Sequence, residues 1–260
     1  MKYIIRAYGI KEIFIPYYSC DCLWRAARKE ACRVRFYHID NNMTPICDFP
    51  KNAYILYINY FGLCGGKCIE LAQKYPNLIV DNTQAFYSEP IGMSSFNSLR
   101  KFFKVQNGVY LWCDKFAAGD IKEDDLYLPP VYMNENFDLF VKNELVLNKE
   151  TEIKKISPLA EKSLKNMNFA KDKIMRRDLY KNYEIVLGKY NLLHFVLDGD
   201  SVPYCYPFGT DNKDFLDKLS KGGFILLKLW DNKSINGTEV IAFPLYDEVY
   251  AKKILDYCAC

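Results

Sequence analysis

Residues 78–86, with the sequence LIVDNTQAF, contain the pattern that decides the fold. The apolar run Leu-Ile-Val predicts a short buried strand, and Asp81 follows that run directly. In a parallel sheet this position lies at the carboxyl edge of the strand, where ligands bind. An aspartate after a strand is also common as a helix N-cap or turn residue, so position alone leaves both interpretations open.

The sequence around this motif alternates between short apolar runs and helical patterns. Strand patterns cover residues 12–15, 34–38, 53–60, 78–80 and 109–113, and helical patterns cover 21–30 and 67–75. Strands that alternate with helices indicate βαβ units and a mostly parallel sheet with right-handed crossovers. We therefore predict an α/β domain with three layers over residues 1–155.

The second half of the chain follows a polar segment at 115–155, which we interpret as an excursion between two lobes. A long helix is predicted where Leu179, Tyr183 and Leu187 share one face. Strand patterns then cover 202–206, 224–229 and 240–243, and helical patterns cover 213–221 and 248–257. These elements predict a small α+β domain over residues 156–260.

The composition argues against several classes of protein. The net charge is +3 without a basic run, whereas nucleic-acid-binding proteins cluster Lys and Arg. The chain has no run approaching the ~18 apolar residues needed to cross a bilayer. Ten cysteines in a chain of 260 residues without a secretion signal favour reduced thiols, so we predict a cytoplasmic protein.

The cysteines also offer an alternative interpretation, a structural zinc site. Cys64 and Cys68 match loosely the spacing that zinc ligands prefer, whereas Cys20 and Cys22 do not. Cys68 also fits the apolar face of its predicted helix, where a buried cysteine acts as a small hydrophobic residue. We therefore predict no metal site.

Lys101 is the second candidate for chemistry. It lies between a stretch rich in Ser and Asn, which we interpret as a loop, and a turn at Gly108. A lysine can form a Schiff base with an aldehyde cofactor. Taken alone, Lys101 is more simply interpreted as an ordinary surface lysine. Arg100 and Lys104 lie close by in the sequence, so position alone does not identify which basic residue would carry the chemistry.

The two segments together resemble a known family. VDNTQAF is similar to the Asp-x-x-Gln-Ala motif of the DegT/DnrJ/EryC1/StrS sugar aminotransferases, which are fold-type I enzymes dependent on pyridoxal 5'-phosphate (PLP). In that family the Schiff-base lysine follows some twenty residues later, before a glycine turn and a strand, as Lys101 and Gly108 do here. The likeness extends over most of the chain, from FIPYYSCDCLWRAARKE near the start to KLW and IAFPLYDE near the end.

The resemblance implies a role for each matching residue. Asp81 would pair with the pyridine nitrogen of the cofactor, Gln84 would contact the ring oxygen, and Lys101 would carry the cofactor as a Schiff base. Ser98 or Ser95 would hold the phosphate. Cys20 stands near the place where the family often has an aromatic residue stacked on the cofactor ring, and a cysteine cannot stack in that way.

The resemblance also implies a reaction and its partners. Members of the family transfer an amino group, with glutamate as the expected donor, to a keto sugar nucleotide, and they work as homodimers. We therefore expect an enzyme of surface polysaccharide or related sugar biosynthesis. The family has an additional N-terminal segment whose final turn binds the cofactor phosphate at a helix N-terminus. Met1 falls inside the matching helix, so the alternative is a truncated or degenerate homologue with a binding or scaffold role.

Overall fold

The chain is arranged around two β-sheets. The computed structural model describes residues 1–149, 152–230 and 233–259. The N-terminal part of the chain contains three α-helices: α1 (Lys2–Tyr8), α2 (Asp21–Lys29) and α3 (Gly65–Lys74). Its six strands are β1 (Glu12–Pro16), β2 (Arg33–Tyr37), β3 (Ile55–Ile58), β4 (Leu78–Asn82), β5 (Ser94–Asn97) and β6 (Leu111–Cys113). These strands form one sheet in the order β2-β1-β3-β4-β5-β6.

This first sheet is mostly parallel, as the sequence predicts. Only β6 runs antiparallel to its neighbour β5. The central strands β3 and β4 are buried at every position, which explains their nearly continuous apolar sequence. The chain passes from β1 to β2 on one side and then returns to β3 on the other side. Right-handed crossovers, which the sequence analysis predicts, would place α2 and α3 on opposite faces of the sheet.

The second sheet belongs to the C-terminal part of the chain. Its strands are β7 (Cys205–Phe208), β8 (Leu227–Lys228) and β9 (Ile241–Pro244), arranged antiparallel in the order β7-β9-β8. The accompanying helices are α4 (Phe137–Lys149), α5 (Pro158–Lys165), α6 (Phe169–Leu187), α7 (Lys213–Lys221) and α8 (Glu248–Ala259). The chain therefore has the predicted large α/β part and a second small sheet, while the domain boundary at residues 155 and 156 remains a prediction.

The long helix α6 joins the two parts of the chain. Asn168 begins it by accepting a hydrogen bond from the backbone N–H of Lys171 at 3.0 Å, which satisfies one of the free donors of the first turn. Leu179, Tyr183 and Leu187 are buried on one face, and this face packs in a core with β7, β9 and α8. The predicted amphipathic helix is thus present.

One sequence prediction was wrong about local structure. Residues Ser94–Asn97 form the buried strand β5, although their polar sequence predicts a loop. Hydrogen-bonded neighbours on both sides stabilise this strand, so the tertiary context overrides the composition. The polar segment at 115–155, which the sequence analysis interprets as an excursion between two lobes, contains the helix α4, and none of the described residues of this helix is buried.

No helix in the described ranges is both long enough and apolar enough to cross a bilayer.

Candidate active site

A crevice is expected where the strand order reverses, at the carboxyl ends of β1 and β3. Cys20 follows β1 and begins α2, whereas Asn59 follows β3. Asp81 lies near the carboxyl end of β4, the next strand along the sheet, with only 2% of its surface exposed. The fold thus brings the residues of three separate loops to one edge of the sheet.

Asp81 and Lys101 meet at this edge through Thr83. The Lys101 Nζ donates to Thr83 Oγ1 at 3.2 Å, and the backbone N–H of Thr83 donates to Asp81 Oδ1 at 2.8 Å. The Thr83 side chain also hydrogen-bonds Asp81. Burial raises the pKa of Asp81 above its usual value, while the Lys101 charge and the Thr83 hydrogen bonds act in the opposite direction. The lysine and the carboxylate therefore form one connected group.

The position of Lys101 depends on a crossing of two backbone segments. Lys101 ends a short 3-10 helix, Leu99–Lys101, whose Leu99 N–H donates to the Gly108 carbonyl at 3.1 Å. Gly108 has φ +118°, and a Cβ atom there would lie 2.5 Å from Leu99 Cδ1. Since only glycine fits both this conformation and this contact, the predicted glycine turn has a steric cause.

Tyr204 approaches Lys101 from the C-terminal part of the chain. The Lys101 Nζ lies 5.9 Å from the centre of the Tyr204 ring, within the range of a cation–π contact. The backbone N–H of Tyr204 donates to the Phe61 carbonyl at 2.8 Å, which links the segment before β7 to the loop after β3. The C-terminal part of the chain thus contributes an aromatic ring to the surroundings of the candidate lysine.

Gln84 presents a buried donor group without a partner. Its Oε1 accepts from the backbone N–H of Phe61 at 2.8 Å, so the amide orientation is determined and Nε2 points elsewhere. Within the described part of the chain, Nε2 is buried and makes no hydrogen bond. Gly62 allows this arrangement, because a Cβ atom at its φ of +76° would lie 2.7 Å from the Gln84 carbonyl oxygen. Buried donors of this kind normally have partners, so Gln84 is prepared for an external acceptor.

The two serines proposed for phosphate binding lie in different places. In the register of the sheet, Ser95 pairs with Val80 and Phe96 pairs with Asp81. Because successive side chains of a strand alternate between faces, Ser95 lies on the face opposite Asp81. Its Oγ is buried without a partner among the described residues. Ser98 is partly exposed, directly precedes the 3-10 helix of Lys101 and does not cap it with its hydroxyl.

Cys20 lies at the same edge, at the N-terminus of α2. Its Sγ accepts from the backbone N–H of Cys22 at 3.4 Å. A hydrogen bond from the Cys22 thiol, together with this N–H and the Lys101 charge, lowers the pKa of Cys20 to about 6, although burial opposes the change. Cys20 therefore brings a thiolate to the neighbourhood of Lys101 at neutral pH.

The sequence analysis missed three residues of this arrangement: Thr83, Tyr204 and Arg176. Thr83 lies inside the motif, between the two residues that the motif identifies, and only its contacts show a role. Arg176 is fully buried and donates to the carbonyl of Phe102, the residue after Lys101, at 2.8 Å. Of its partners, Asp172 lies four residues earlier on the same helix, whereas the carbonyls of Phe102 and Tyr204 lie 74 and 28 residues away, so the sequence does not show the contacts with the Lys101 loop.

The structure also bears on the zinc alternative. Cys64 and Cys68 are both buried in the hydrophobic core, where Cys68 lies against the sheet as its helical pattern predicts. Among the described residues, no three side chains of His, Cys, Asp or Glu come together in a way that could hold a metal ion.

Comparison with known proteins detects the fold but not a close relative. No protein-family profile matches the sequence, and no curated protein matches it. Solved structures match almost the whole chain at low identity. A DegT DnrJ EryC1 StrS aminotransferase from Brucella abortus is 13% identical, with a TM-score of 0.61, and the match covers 97% of this chain and 80% of that one.

Two further structures match in the same way. NtdA from Bacillus subtilis, solved with bound cofactor PMP, is 14% identical with a TM-score of 0.63, and the match covers 98% of this chain and 69% of that one. DesI, solved in the presence of its TDP-sugar product, is 12% identical with a TM-score of 0.62, and the match covers 98% of this chain and 76% of that one. The resemblance predicted from the motifs is thus confirmed at the level of the fold: this chain has the fold of the DegT/DnrJ/EryC1/StrS aminotransferases.

Proposed function

We propose that the chain is a PLP-dependent aminotransferase that transfers an amino group from glutamate to a keto sugar nucleotide, in surface polysaccharide or related sugar biosynthesis. The observation that carries this proposal is the connected group of Asp81, Thr83 and Lys101 at the carboxyl edge of the sheet. The shared fold supports it, since one structure of that fold holds PMP and another was solved with a TDP-sugar product. The cytoplasmic location remains a prediction from the sequence.

The residues at the site suit a pyridoxal cofactor in their donor and acceptor chemistry. The Gln84 Nε2 is a buried donor without a partner among the described residues, and the phenolic oxygen of the cofactor is an acceptor. Asp81 is a buried carboxylate, which accepts a hydrogen bond from a protonated ring nitrogen. Lys101 is partly exposed and offers an amine to an aldehyde. These three groups therefore fit the cofactor.

Phosphate binding is assigned to Ser98 rather than Ser95. Ser98 lies three residues before Lys101 and on the same loop, whereas Ser95 lies on the opposite face of the sheet from Asp81. The hydroxyl of Ser98 does not cap the short helix that follows it, so it is not committed to that role. A substitution at Ser98 should accordingly weaken cofactor binding more than the same substitution at Ser95.

The mechanism follows from the positions of the chain's own residues. When bound, the cofactor supplies an electron sink for the negative charge that develops at the substrate carbon. The Asp81 carboxylate would hold the ring nitrogen in its protonated form by charge and hydrogen bonding. Thr83 Oγ1 holds Lys101 Nζ at 3.2 Å, so this amine is positioned to accept a proton and return it. The Tyr204 ring lies 5.9 Å from the same amine, within the range of a cation–π contact.

We also propose that two copies of the chain assemble as a homodimer. β6 is the edge strand of the large sheet and exposes Trp112, and the neighbouring Tyr110 is exposed as well. The helix α4 buries none of its residues within the described structure and exposes Phe137 and Leu145. Exposed apolar side chains on an edge strand and on a helix are typical of a protein–protein interface, and a second copy would cover them.

The proposal is tested by loading the purified protein with PLP. We expect a visible absorption band, and reduction with borohydride should fix the cofactor covalently to Lys101, as located by mass spectrometry. Lys101→Ala should abolish both signals. The matched control is Lys104→Ala, which removes an exposed lysine of the same loop that pairs with Glu135 and should leave both signals unchanged.

Activity is tested with the loaded protein, glutamate and a set of keto sugar nucleotides. We expect 2-oxoglutarate in excess of one equivalent per bound cofactor to form only when a suitable keto sugar is present, because glutamate alone can react once with the loaded protein. A wild-type protein that stays colourless with PLP would refute the enzyme proposal and favour a degenerate homologue with a binding role.

A further inference from the structure

Two cysteines lie side by side at the mouth of the candidate site. Cys20 directly precedes α2, and Cys22 is the second residue of that helix. As residues, Cys20 is partly exposed and Cys22 is exposed. The backbone N–H of Cys22 lies 3.4 Å from Cys20 Sγ, and the Cys22 thiol donates to the same sulfur. The two sulfurs are therefore already neighbours.

The backbone permits a bond between them. Cα atoms two positions apart are separated by at most about 7 Å, because each peptide unit spans about 3.8 Å. Disulfides join Cα atoms about 4.4–6.8 Å apart, so a Cys20–Cys22 bond requires only local rotation at the start of α2. The strand β1 and the body of the helix can stay in place.

The surroundings make the two sulfurs chemically unequal. The Cys22 thiol, the Cys22 N–H and the Lys101 charge all stabilise the thiolate of Cys20, whose pKa falls to about 6. The same hydrogen bond, in which Cys22 is the donor, raises the pKa of Cys22. A thiolate beside a thiol is the arrangement that allows attack on an external disulfide and then closure.

We propose that Cys20 and Cys22 form a reversible dithiol–disulfide couple beside the candidate active site. The Cys20 thiolate attacks one sulfur of oxidised glutathione, which forms a mixed disulfide and releases one glutathione thiolate. Cys22 then loses its proton to solvent and attacks Cys20 Sγ, which forms the Cys20–Cys22 bond and releases the second glutathione thiolate. Two protein thiols are oxidised, and one glutathione disulfide is reduced to two thiols.

Oxidation changes the charge beside Lys101. The disulfide removes the thiolate that interacts with the Lys101 ammonium group, and it takes the acceptor away from the Cys22 N–H. The chemistry of the couple does not need a cofactor, but its consequence for PLP binding rests on the proposed function. We expect the oxidised and reduced proteins to differ several-fold in their affinity for PLP.

The couple is tested on the cofactor-free protein in glutathione buffers of increasing oxidised fraction. After alkylation and trypsin digestion, the peptide of residues 12–25 contains only these two cysteines, and residues 36–51 contain Cys47 alone. Once the disulfide has formed, the first peptide should no longer be alkylated, and its mass should be about 2 Da lower than that of the unmodified dithiol peptide. Cys47 serves as the internal control, because it is an exposed residue and the pKa of its thiol is raised by partial desolvation and by the Asp48 charge. Its peptide should remain alkylated or carry glutathione.

Variants separate attack from closure. In Cys22→Ser, Cys20 should retain one glutathione as a stable adduct, because no thiol remains to displace it. In the wild-type protein at pH 6, iodoacetamide should modify Cys20 about tenfold faster than Cys47, since the larger thiolate fraction outweighs the lower nucleophilicity of that thiolate. A peptide that stays dithiol in every buffer, or a stable glutathione adduct in the wild-type protein, would overturn the couple.

The two proposals fail in different ways. If the reduced protein binds PLP but the peptide of residues 12–25 never loses two hydrogens, the couple is wrong and the enzyme proposal stands. If the peptide closes but neither redox form binds PLP, the couple stands as a dithiol site and the enzyme proposal fails. Equal PLP affinity of both forms would overturn the predicted effect of oxidation on the site.

Discussion

The substitution Arg176→Met tests how the C-terminal part of the chain holds the Lys101 loop. Arg176 lies on α6 with none of its surface exposed. Its Nε donates to Asp172 Oδ2 at 2.8 Å, Nη2 to the Phe102 carbonyl at 2.8 Å and Nη1 to the Tyr204 carbonyl at 3.2 Å. The guanidinium also lies 4.5 Å from the centre of the Phe102 ring. One side chain thus connects the helix, the residue after Lys101 and the residue whose ring lies near the Lys101 amine.

The expected cost follows from the groups that lose their partners. Methionine fills a similar volume but donates no hydrogen bond. The bond to the Asp172 carboxylate contributes about 1.5–3 kcal/mol, and each of the two carbonyl bonds contributes about 1 kcal/mol. The sum agrees with the ~3–5 kcal/mol measured when one partner of a buried ion pair is removed. Tyr87 still donates to Asp172 at 2.7 Å, so the carboxylate keeps one partner and the upper limit is not expected.

The assay is equilibrium unfolding in urea of the cofactor-free protein, followed by circular dichroism. A loss of ~3–4 kcal/mol corresponds to a decrease in the transition midpoint of about 1–2 M urea. The matched control is Arg177→Met. Arg177 is only partly buried and donates to the carbonyls of Asp198 and Ser201 near the surface, so its loss should cost at most about 1 kcal/mol.

The comparison of these two variants decides the outcome. Arg176→Lys should recover part of the stability, because it keeps the charge near Asp172 but cannot reach both carbonyls. Equal unfolding midpoints for Arg176→Met and Arg177→Met would refute the reasoning, since the burial and the three partners of Arg176 would then contribute nothing to the free energy of unfolding. A stable Arg176→Met protein that binds PLP as tightly as the wild type would refute the link to Lys101.

Three further outcomes are expected. Burial raises the pKa of Asp81, so the native state binds this proton more tightly than the unfolded chain, and this carboxyl group lowers stability as pH rises through its folded pKa. In scanning fluorimetry of the cofactor-free protein, Asp81→Asn should therefore raise the melting temperature at pH 7 but not near pH 3. The same substitution should abolish PLP binding. A lower melting temperature at pH 7 would contradict this prediction. Gly108→Ala should cost about 1–3 kcal/mol in urea unfolding, because φ is +118° and the new Cβ meets Leu99, and a neutral result would show that the turn relaxes freely. Trp112→Asp should convert the proposed dimer to a monomer in sedimentation analysis, and an unchanged mass would exclude the β6 edge as the interface.

The alternation of apolar runs and helical patterns in the sequence by itself predicts the mostly parallel sheet. Asp81 follows Leu-Ile-Val, and parallel strands buried on both faces are mostly apolar, so a carboxylate directly after such a run indicates the carboxyl end of the strand. Gln84 and Lys101 were identified by their spacing from Asp81 and by the resemblance this spacing carries. The structure adds that the Gln84 Nε2 lacks a partner among the described residues and that Thr83 connects Asp81 to Lys101.

Only the tertiary structure decided the remaining features. Ser94–Asn97 became a strand because two neighbours pair with it, and the register of that pairing put Ser95 on the face away from Asp81. A shift of one residue would have reversed the face, and composition does not encode such a shift. Arg176 acquired its role from carbonyl groups 74 and 28 residues away. Local sequence patterns predict most of the strands and helices, but contacts between distant segments exist only after the chain has folded, and these contacts hold Lys101 in place.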